Sequence, residues 1–495
     1  MINNISMYSL FTLSLVNNLF SILLLMKKNV LLILCIVAVA FISKGQTTQL
    51  WGMTSSGGTY NDGTIFKINP DGTGFVNLYN LVHGDGHSPY GYLIQASNGN
   101  IYSTTWGGGN NYNGGTIFKF NPVNNFYVDE FDFDFLLTGN HPYSGVVEAQ
   151  SGMLYGVTTS GISCPGGTIY SYNPITNSHS DLFSFDSVSG FNAYRVPILG
   201  NNKLFGMTGL AGVLDYGVIY SFDIITNYYS VLYNFDGLMN GGLPYSSPLL
   251  LDNGKLYGTT SIGGVNGVGV LFSYDTLTNF FQKLYDFDNI NGQGFGGSLM
   301  QAANHKLYGV SHSGGTFGKG VIYSFDLAIG SYTNLYNFDS ITGSNPQSSL
   351  IQLSNGILYG TTSKGGALGC GVVFSFDLTT NAYTDLFDFN GTNGLIPQCG
   401  LLAVTTSVGI SDFKSSDDSI SIYPNPATYK LNISINDANF NSAEIKINNI
   451  LGEKILQTAI TNHQSTIDIS ALSKGMYFAE TIVDGKRSVM KIIKE

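Results

Sequence analysis

Two series of residues recur along this 495-residue chain in types and spacings that could do chemistry. One is a set of glycine pairs and triplets: Gly57-Gly58, Gly107-Gly108-Gly109, Gly166-Gly167, Gly263-Gly264, Gly314-Gly315 and Gly365-Gly366. The other is a Phe-Asp series carrying Asp134, Asp186, Asp236, Asp288 and Asp339. Glycine-loop amides and carboxylates on one face, with Trp106, Tyr112 and Phe317 as stacking surfaces and His312 beside them, would suit a glycan. The plainer use of the same residues is structural, with glycines at positive-φ turn positions and aspartates capping those turns. A calcium loop needs several oxygens in alternation, and only Asp132/Asp134 and Asp286/Asp288 approach that pattern, so these are read as strand-end carboxylates. His83, His87, His141 and His312 are expected on this face and His305 on the opposite one. None has metal-ligand spacing, and no metal or cofactor is assigned.

Catalytic motifs are missing from the text. There is no G-x-S-x-G elbow, H-E-x-x-H, Walker loop, Rossmann glycine pattern or sialidase Asp-box. Glu148 is the one acidic residue expected near the inner strands, and a glycosidase would need a second carboxylate opposite it.

The elements that must position these residues are set by a repeat. An aromatic-Gly step occurs at Trp51-Gly52, Tyr155-Gly156, Phe205-Gly206, Tyr257-Gly258, Tyr308-Gly309 and Tyr359-Gly360, with Tyr102-Ser103 as a variant, at spacings of 51, 53, 50, 52, 51 and 51 residues. A fixed period of this size belongs to propellers or solenoids. One copy, residues 346–390, parses into four strands at 350–353, 357–362, 372–377 and 383–389, with Asn355-Gly356 predicted as a two-residue hairpin turn. Four antiparallel strands make a propeller blade. The array opens at Gln49-Leu50-Trp51-Gly52, a second strand lacking a first, and ends at Gly400-Leu401-Leu402-Ala403-Val404, a first strand lacking a second. The expected fold is therefore all-β: a seven-bladed β-propeller closed by pairing of N- and C-terminal strands, plus a small C-terminal β-sandwich. First strands such as Leu350-Ile351-Gln352 are expected around the axis, and pairs such as Phe325 and Tyr336 between neighbouring blades.

Composition agrees with this fold and excludes one class of partner. Charged residues are 11% of the chain against roughly 25% in ordinary soluble domains, while Gly (62), Tyr (31) and Phe (32) are over-used. Residues 46–404 hold 9 Lys or Arg and 22 Asp or Glu, 9 − 22 = −13, without a basic stretch, which argues against nucleic acid. Cys164, Cys370 and Cys399 follow the leader. Cys370 and Cys399 are close enough in sequence to pair, although buried free thiols suit a set of three better.

The two ends carry an address. Residues 26–46 read as a signal peptide, Met-Lys-Lys-Asn followed by the apolar run Val30 to Ile42 and a polar exit, so 1–25 reads as an over-extended start. The repeats are bounded at 47–408, a Ser/Asp/Lys-rich linker at 409–419, and a strand-rich segment of different composition at 420–495. That segment resembles the C-terminal type A sorting domain of the type IX secretion system of Bacteroidota. The resemblance is carried by Tyr423-Pro424-Asn425-Pro426, Asn449-Ile450-Leu451-Gly452-Glu453, Leu472-Ser473-Lys474-Gly475-Met476-Tyr477-Phe478 and the closing Lys491-Ile492-Ile493-Lys494. It implies an Ig-like fold, Sec export, and outer-membrane passage through a translocon that reads the tail. A C-terminal signal peptidase as second partner, and a passenger that is extracellular or attached to the outer cell surface without an integral membrane span, are implied with it. Over about 350 residues the repeats resemble the family called GloVer repeats of secreted bacterial proteins, in the recurrent L-Y-G-T-T-S-x-G-G, G-V-I-F-S-F-D and L-Y-N-F-D. They depart from it at Ser103 and at Thr208 to Gly212. This resemblance implies secretion and architecture and supplies no activity. The functional expectation is a secreted or surface binding protein, with polysaccharide as the foremost partner. A propeller glycoside hydrolase or polysaccharide lyase, and a purely structural surface protein, are the alternatives.

Overall fold

The computed structural model describes residues 46–407 and 420–495, apart from 111–112, 135–136, 162–165, 295, 436–441, 450–453 and 485. The leader, the linker, Tyr112, Cys164 and Gly452 lie outside the described residues. The chain divides into two compact units, Thr48–Thr405 and one that contains Thr406–Glu495. The fold is all-β, and among the described residues the sole helical turn is the 3-10 turn His83–Asp85.

In the repeat unit the strands assemble into four-stranded antiparallel sheets, seven among the described residues, one per repeat. The copy at 346–390 forms Ile351–Gln352, Ile357–Thr362, Val372–Asp377 and Tyr383–Asp388. Its middle strands are buried along most of their length, with Ile357, Ser375 and Asp377 the half-buried exceptions. Each glycine of the aromatic-Gly step lies under a ring. Gly360 stands opposite Phe374, and a Cβ there would come within 2.7 Å of the Phe374 ring. At Gly156 the same atom would meet the Tyr170 hydroxyl at 2.3 Å. Ser103, the variant copy, faces Phe118 with its hydroxyl buried and unpaired.

The turn at Asn355-Gly356 differs from the expected two-residue type. Gly356 N–H donates to Leu353 C=O at 2.9 Å and only Gly356 has a positive φ, 81°, so the loop is a three-residue one ending in a left-handed glycine. Asn355 Oδ1 accepts from Ile357 N–H at 3.0 Å and its Nδ2 donates to the Tyr359 hydroxyl at 2.9 Å, tying the turn to the signature aromatic. Asn98, Asn253 and Asn304 do the same for Tyr102, Tyr257 and Tyr308. In the sixth sheet His305 takes the glycine's place at φ 63°.

Consecutive sheets pack through aromatic stacks near their outer strands. Tyr79 lies on Tyr127, Phe131 on His179, Phe183 on Tyr229, Tyr233 on Phe281, Tyr285 on Tyr332, Tyr336 on Tyr383 and Phe387 on Phe75, with centroids 4.0–4.4 Å apart. Offset stacks of this kind add to the apolar area they bury. The expected pairing of Phe325 with Tyr336 is not formed, because the two belong to different clusters and face opposite neighbours. Leu402–Ser407 is hydrogen-bonded beside Gln46–Thr54 in the first sheet, and Thr48 Oγ1 meets Thr405 Oγ1 at 3.2 Å. Ser55 N–H reaches Ile396 C=O at 3.1 Å just beyond.

The second unit has two antiparallel sheets. One is ordered Ile420–Tyr423, Lys430–Ile435, Gln464–Asp468, and the other Lys454–Ala459, Ala443–Asn449, Gly475–Val483, Lys486–Lys494. Leu431, Ile433 and Ile467 of the first share a core with Ile445, Ile447 and Ala479 of the second. Inward residues alternate with outward ones along Lys430–Ile435 and Ala443–Asn449, as packed sheets require.

Candidate functional site

The Phe-Asp carboxylates turn back on their own loops. Asp186 Oδ1 accepts from Ser189 N–H and Oγ, both at 2.7 Å, and from Val188 N–H at 3.0 Å. Asp236 caps Leu238 N–H at 2.8 Å, Asp288 caps Ile290 N–H at 2.9 Å, and Asp339 caps both Ile341 and Thr342 N–H at 2.9 Å. These bonds hold the Asp186 and Asp339 carboxyls below the ordinary carboxylate value. The Asp134 turn is closed by Thr138, whose Oγ1 accepts from Asp134 N–H at 2.9 Å. The loops bearing these residues pair with the next sheet's glycine-rich loops, as in Ser344 N–H to Lys364 C=O at 2.7 Å. His312 lies beside Asn345, and Phe317 is 58% exposed on its loop.

Trp106 is the expected residue around which aromatic groups collect. His83 stacks on His87 at 4.7 Å, His87 meets Trp106 edge-on at 6.2 Å, and Trp106 stacks on His141 at 4.6 Å. Burial, then the neighbouring His87, pushes the His141 pKa below its ordinary value, so this imidazole is neutral at pH 7.

The rest of the site comes from segments not singled out in the sequence, the short stretches that lead into each first strand. Equivalent positions there hold Tyr90, Tyr143, Tyr194, Tyr245, Gly296, Gln347 and Gln398. Tyr90 stacks on Tyr143 at 4.5 Å, Tyr143 meets Tyr194 at 5.5 Å and Tyr194 meets Tyr245 at 5.4 Å, so four copies build one continuous tyrosine wall. Burial raises the pKa values of Tyr143, Tyr194 and Tyr245, which keeps their hydroxyls protonated. Behind the wall, hydrogen bonds join consecutive copies. Ser247 N–H donates to Ser298 Oγ at 2.8 Å, Ser298 N–H to Ser349 Oγ at 3.0 Å, and Tyr92 Oη meets Ser349 Oγ at 3.0 Å. This last contact brings the second copy against the seventh, so the lead segments converge.

Two adjoining cavities open between these walls, sharing Tyr143 and Tyr194. One, of about 440 Å³, is lined by Tyr90, Trp106, His141, Thr159, Ser160 and Asn192 besides the shared pair. The other, of about 290 Å³, is completed by Arg195, Tyr245 and Gln347. Among the described residues no acidic side chain lines either one. Glu148 does not supply a catalytic carboxylate there. Its oxygens accept from Ser97 N–H at 2.8 Å and Oγ at 2.6 Å, a link between adjacent sheets that Gln352 repeats with Ala303 N–H at 2.8 Å. Cys370 and Cys399 are both free, and Cys399 donates to Pro89 C=O.

In the tail, several of the expected sorting residues meet on and around the last strand. Asn425 Nδ2 donates to Lys491 C=O at 2.8 Å and its Oδ1 accepts from Ile493 N–H at 2.9 Å, so the Tyr423-Pro424-Asn425-Pro426 opening docks on the last strand. Lys494 Nζ lies 5.7 Å over the Tyr429 ring, and the Tyr477 hydroxyl donates to Ser473 C=O beside Gly475 at 2.9 Å. Among the described residues no helix is long and apolar enough to cross a membrane.

Comparison with known proteins gives two family matches. The Gloeobacter/Verrucomicrobia repeat matches residues 9–213 and 194–414, and the secretion system C-terminal sorting domain matches 421–495. No curated protein matches the chain. Among solved structures, a candidate 6-phosphogluconolactonase from Bacteroides uniformis is 15% identical with a TM-score of 0.51, over 72% of this chain and 99% of that one. The periplasmic gluconolactonase PpgL of Pseudomonas aeruginosa is 14% identical, with a TM-score of 0.48 over 72% and 99%. PorZ, a surface component of the type IX secretion system of Porphyromonas gingivalis, is 13% identical, with a TM-score of 0.42 over 88% and 63%. At these identities the first likeness concerns the fold alone.

Proposed function

Since the chain belongs to the Gloeobacter/Verrucomicrobia repeat family and ends in a sorting domain that marks it for type IX export to the cell surface or beyond, we propose that it is a surface or secreted binding protein whose repeat unit holds polysaccharide. In this reading the seven sheets are blades of a closed propeller, and the tyrosine-walled cavities lie at its axis. The unbroken series of stacks returning from Phe387 to Phe75, and the Leu402–Ser407 strand beside Gln46–Thr54, support closure. The observation that carries the ligand reading is the wall of four tyrosines with Trp106 around two adjoining cavities. Flat aromatic faces beside protonated hydroxyls and the Asn192 and Gln347 amides suit sugar rings and their hydroxyls. A leader at 26–46 and removal of the tail by a C-terminal signal peptidase belong to the same proposal.

A glycan array on the purified full chain tests it. Binding that Tyr143→Ala and Tyr194→Ala each reduce about tenfold or more is expected; silence across the array leaves the purely structural alternative. Hydrolysis is disfavoured because, among the described residues, the lining has no pair of carboxylates of the kind a glycosidase needs. One observation favours a lyase as second reading: His141, neutral at pH 7 and on the cavity wall, could take a sugar ring proton. Release of unsaturated sugar ends by the native chain and not by His141→Ala would establish that activity.

A further inference from the structure

Residues 46–404 contain a single arginine, Arg195, at a position where the other copies have Gly91, Ser144, Ser246, Gly297, Ser348 and Cys399. It is only 9% exposed, and it lines the smaller cavity. Its Nε–H donates to Tyr245 C=O at 3.2 Å and its Cζ lies 5.7 Å over the Tyr92 ring. Those two contacts account for one of the five guanidinium N–H groups. Lys119, Lys283 and Lys306 are paired with Glu130, Asp286 and Asp326, whereas among the described residues no carboxylate pairs with Arg195. The nearby Cys399 is no substitute anion, since burial pushes its thiol up to about 12 and the thiol points at Pro89 C=O. A nearly buried cation without a counter-ion is costly to hold in a folded protein, and here its unused donors belong to a residue that lines a cavity.

We propose that this cavity, between Tyr143, Tyr194, Tyr245 and Gln347, is a subsite for the carboxylate of an acidic sugar, recognised by the Arg195 guanidinium. The inference rests on the glycan-binding reading above and names its ligand class. The planar fork of arginine matches the two oxygens of a carboxylate, and the tyrosines beside it offer ring faces to the sugar. The single cation suits one carboxylate per subsite. Densely sulfated chains are disfavoured by a unit with 9 − 22 = −13 formal charges.

The test titrates the full chain with oligogalacturonate and alginate oligomers, each as the free acid and as the methyl ester, and with a sulfated oligosaccharide of equal length. The native protein is expected to bind a free acid at least about tenfold more tightly than its ester. Arg195→Gln is expected to abolish the preference for the free acid, so that acid and ester bind the variant equally. Equal binding of acid and ester by the native chain, or an acid preference that survives in Arg195→Gln, overturns the inference and leaves the glycan reading standing. Tighter binding of the sulfated chain overturns the carboxylate assignment. If no carbohydrate binds at all, the glycan reading falls and takes this one with it. Should Arg195→Gln not fold, competition on the native protein by glucuronate against its methyl ester decides, and equal competition refutes the subsite.

Discussion

The stack between the second and third sheets contains a residue unlike its counterparts, and this makes the repeat unit sensitive to acid. Six of the seven stacks receive Tyr127, Tyr229, Phe281, Tyr332, Tyr383 or Phe75, while Phe131 receives His179 at 4.4 Å. The imidazole Nε2 is buried without a hydrogen bond, and Asp181 Oδ1 is 3.6 Å away, too far to form one. Burial therefore lowers the His179 pKa from 6.5 to about 4. A histidine whose folded value is depressed contributes stability that is fully present above the unfolded value. That stability is lost as pH falls from there toward the folded value. With those two pKa values the loss between pH 8 and pH 5 is about 2 kcal/mol, rising to about 3 kcal/mol below pH 4. Asp181, whose pKa is raised by burial, acts in the opposite sense and is present in both proteins compared. His179→Phe restores the ring its counterparts use and removes the proton-binding group. Urea unfolding followed by fluorescence of the two tryptophans, at pH 8 and pH 5, should show the native protein losing about 2 kcal/mol more than the variant. Parallel losses in the two proteins would refute the reasoning, because a stacked ring that titrates freely cannot be buried as described.

Three further outcomes are expected. Val404, 1% exposed in the strand beside Gln46–Thr54, is expected on replacement by Asp to cost about 3–5 kcal/mol and to lower hydrogen-exchange protection in all the sheets together. Loss confined to the first sheet would contradict a closed ring. His305→Gly is expected to raise stability by about 0.5 kcal/mol in denaturant titrations, since relief of a side chain at φ 63° outweighs the added freedom of the unfolded chain; a destabilised variant counts against that strain. Asn355→Ala removes the bonds to Ile357 N–H and the Tyr359 hydroxyl and is expected to cost about 1–2 kcal/mol by the same titration, with an unchanged midpoint opposing it.

Much of the architecture could be read from the text because the repeat copies its own punctuation. The middle strands at 357–362 and 372–377 have the expected bounds, since their limits are set by Gly-rich and Asx turns that recur in each copy. The turn at Asn355-Gly356 departs from the two-residue expectation because one left-handed glycine after a tight turn leaves the same two letters as a two-residue hairpin. Phe325 and Tyr336 fall in different interfaces despite the sequence expectation, because alternation gives the face of a residue and not which neighbour that face meets. The cavity is not legible in the sequence for a different reason. Its tyrosines lie in lead segments that are neither strands nor glycine loops, so no periodic signal marks them. Arg195 did leave a trace, as the only arginine in the repeats, in a copy whose relatives have small residues at that place.

The strand Leu402–Ser407 lies beside Gln46–Thr54 although the whole repeat array separates them along the chain. A polypeptide emerging N-terminus first therefore carries Gln46–Thr54 with one edge unsatisfied until the final repeat has followed it out. The sorting domain lies downstream of that last strand, so a truncated passenger is deprived of its tail and of the partner strand Leu402–Ser407 at once. Synthesis errors that stop short of residue 402 thus yield molecules that are both sticky at one edge and lacking the export mark, and the two defects travel together.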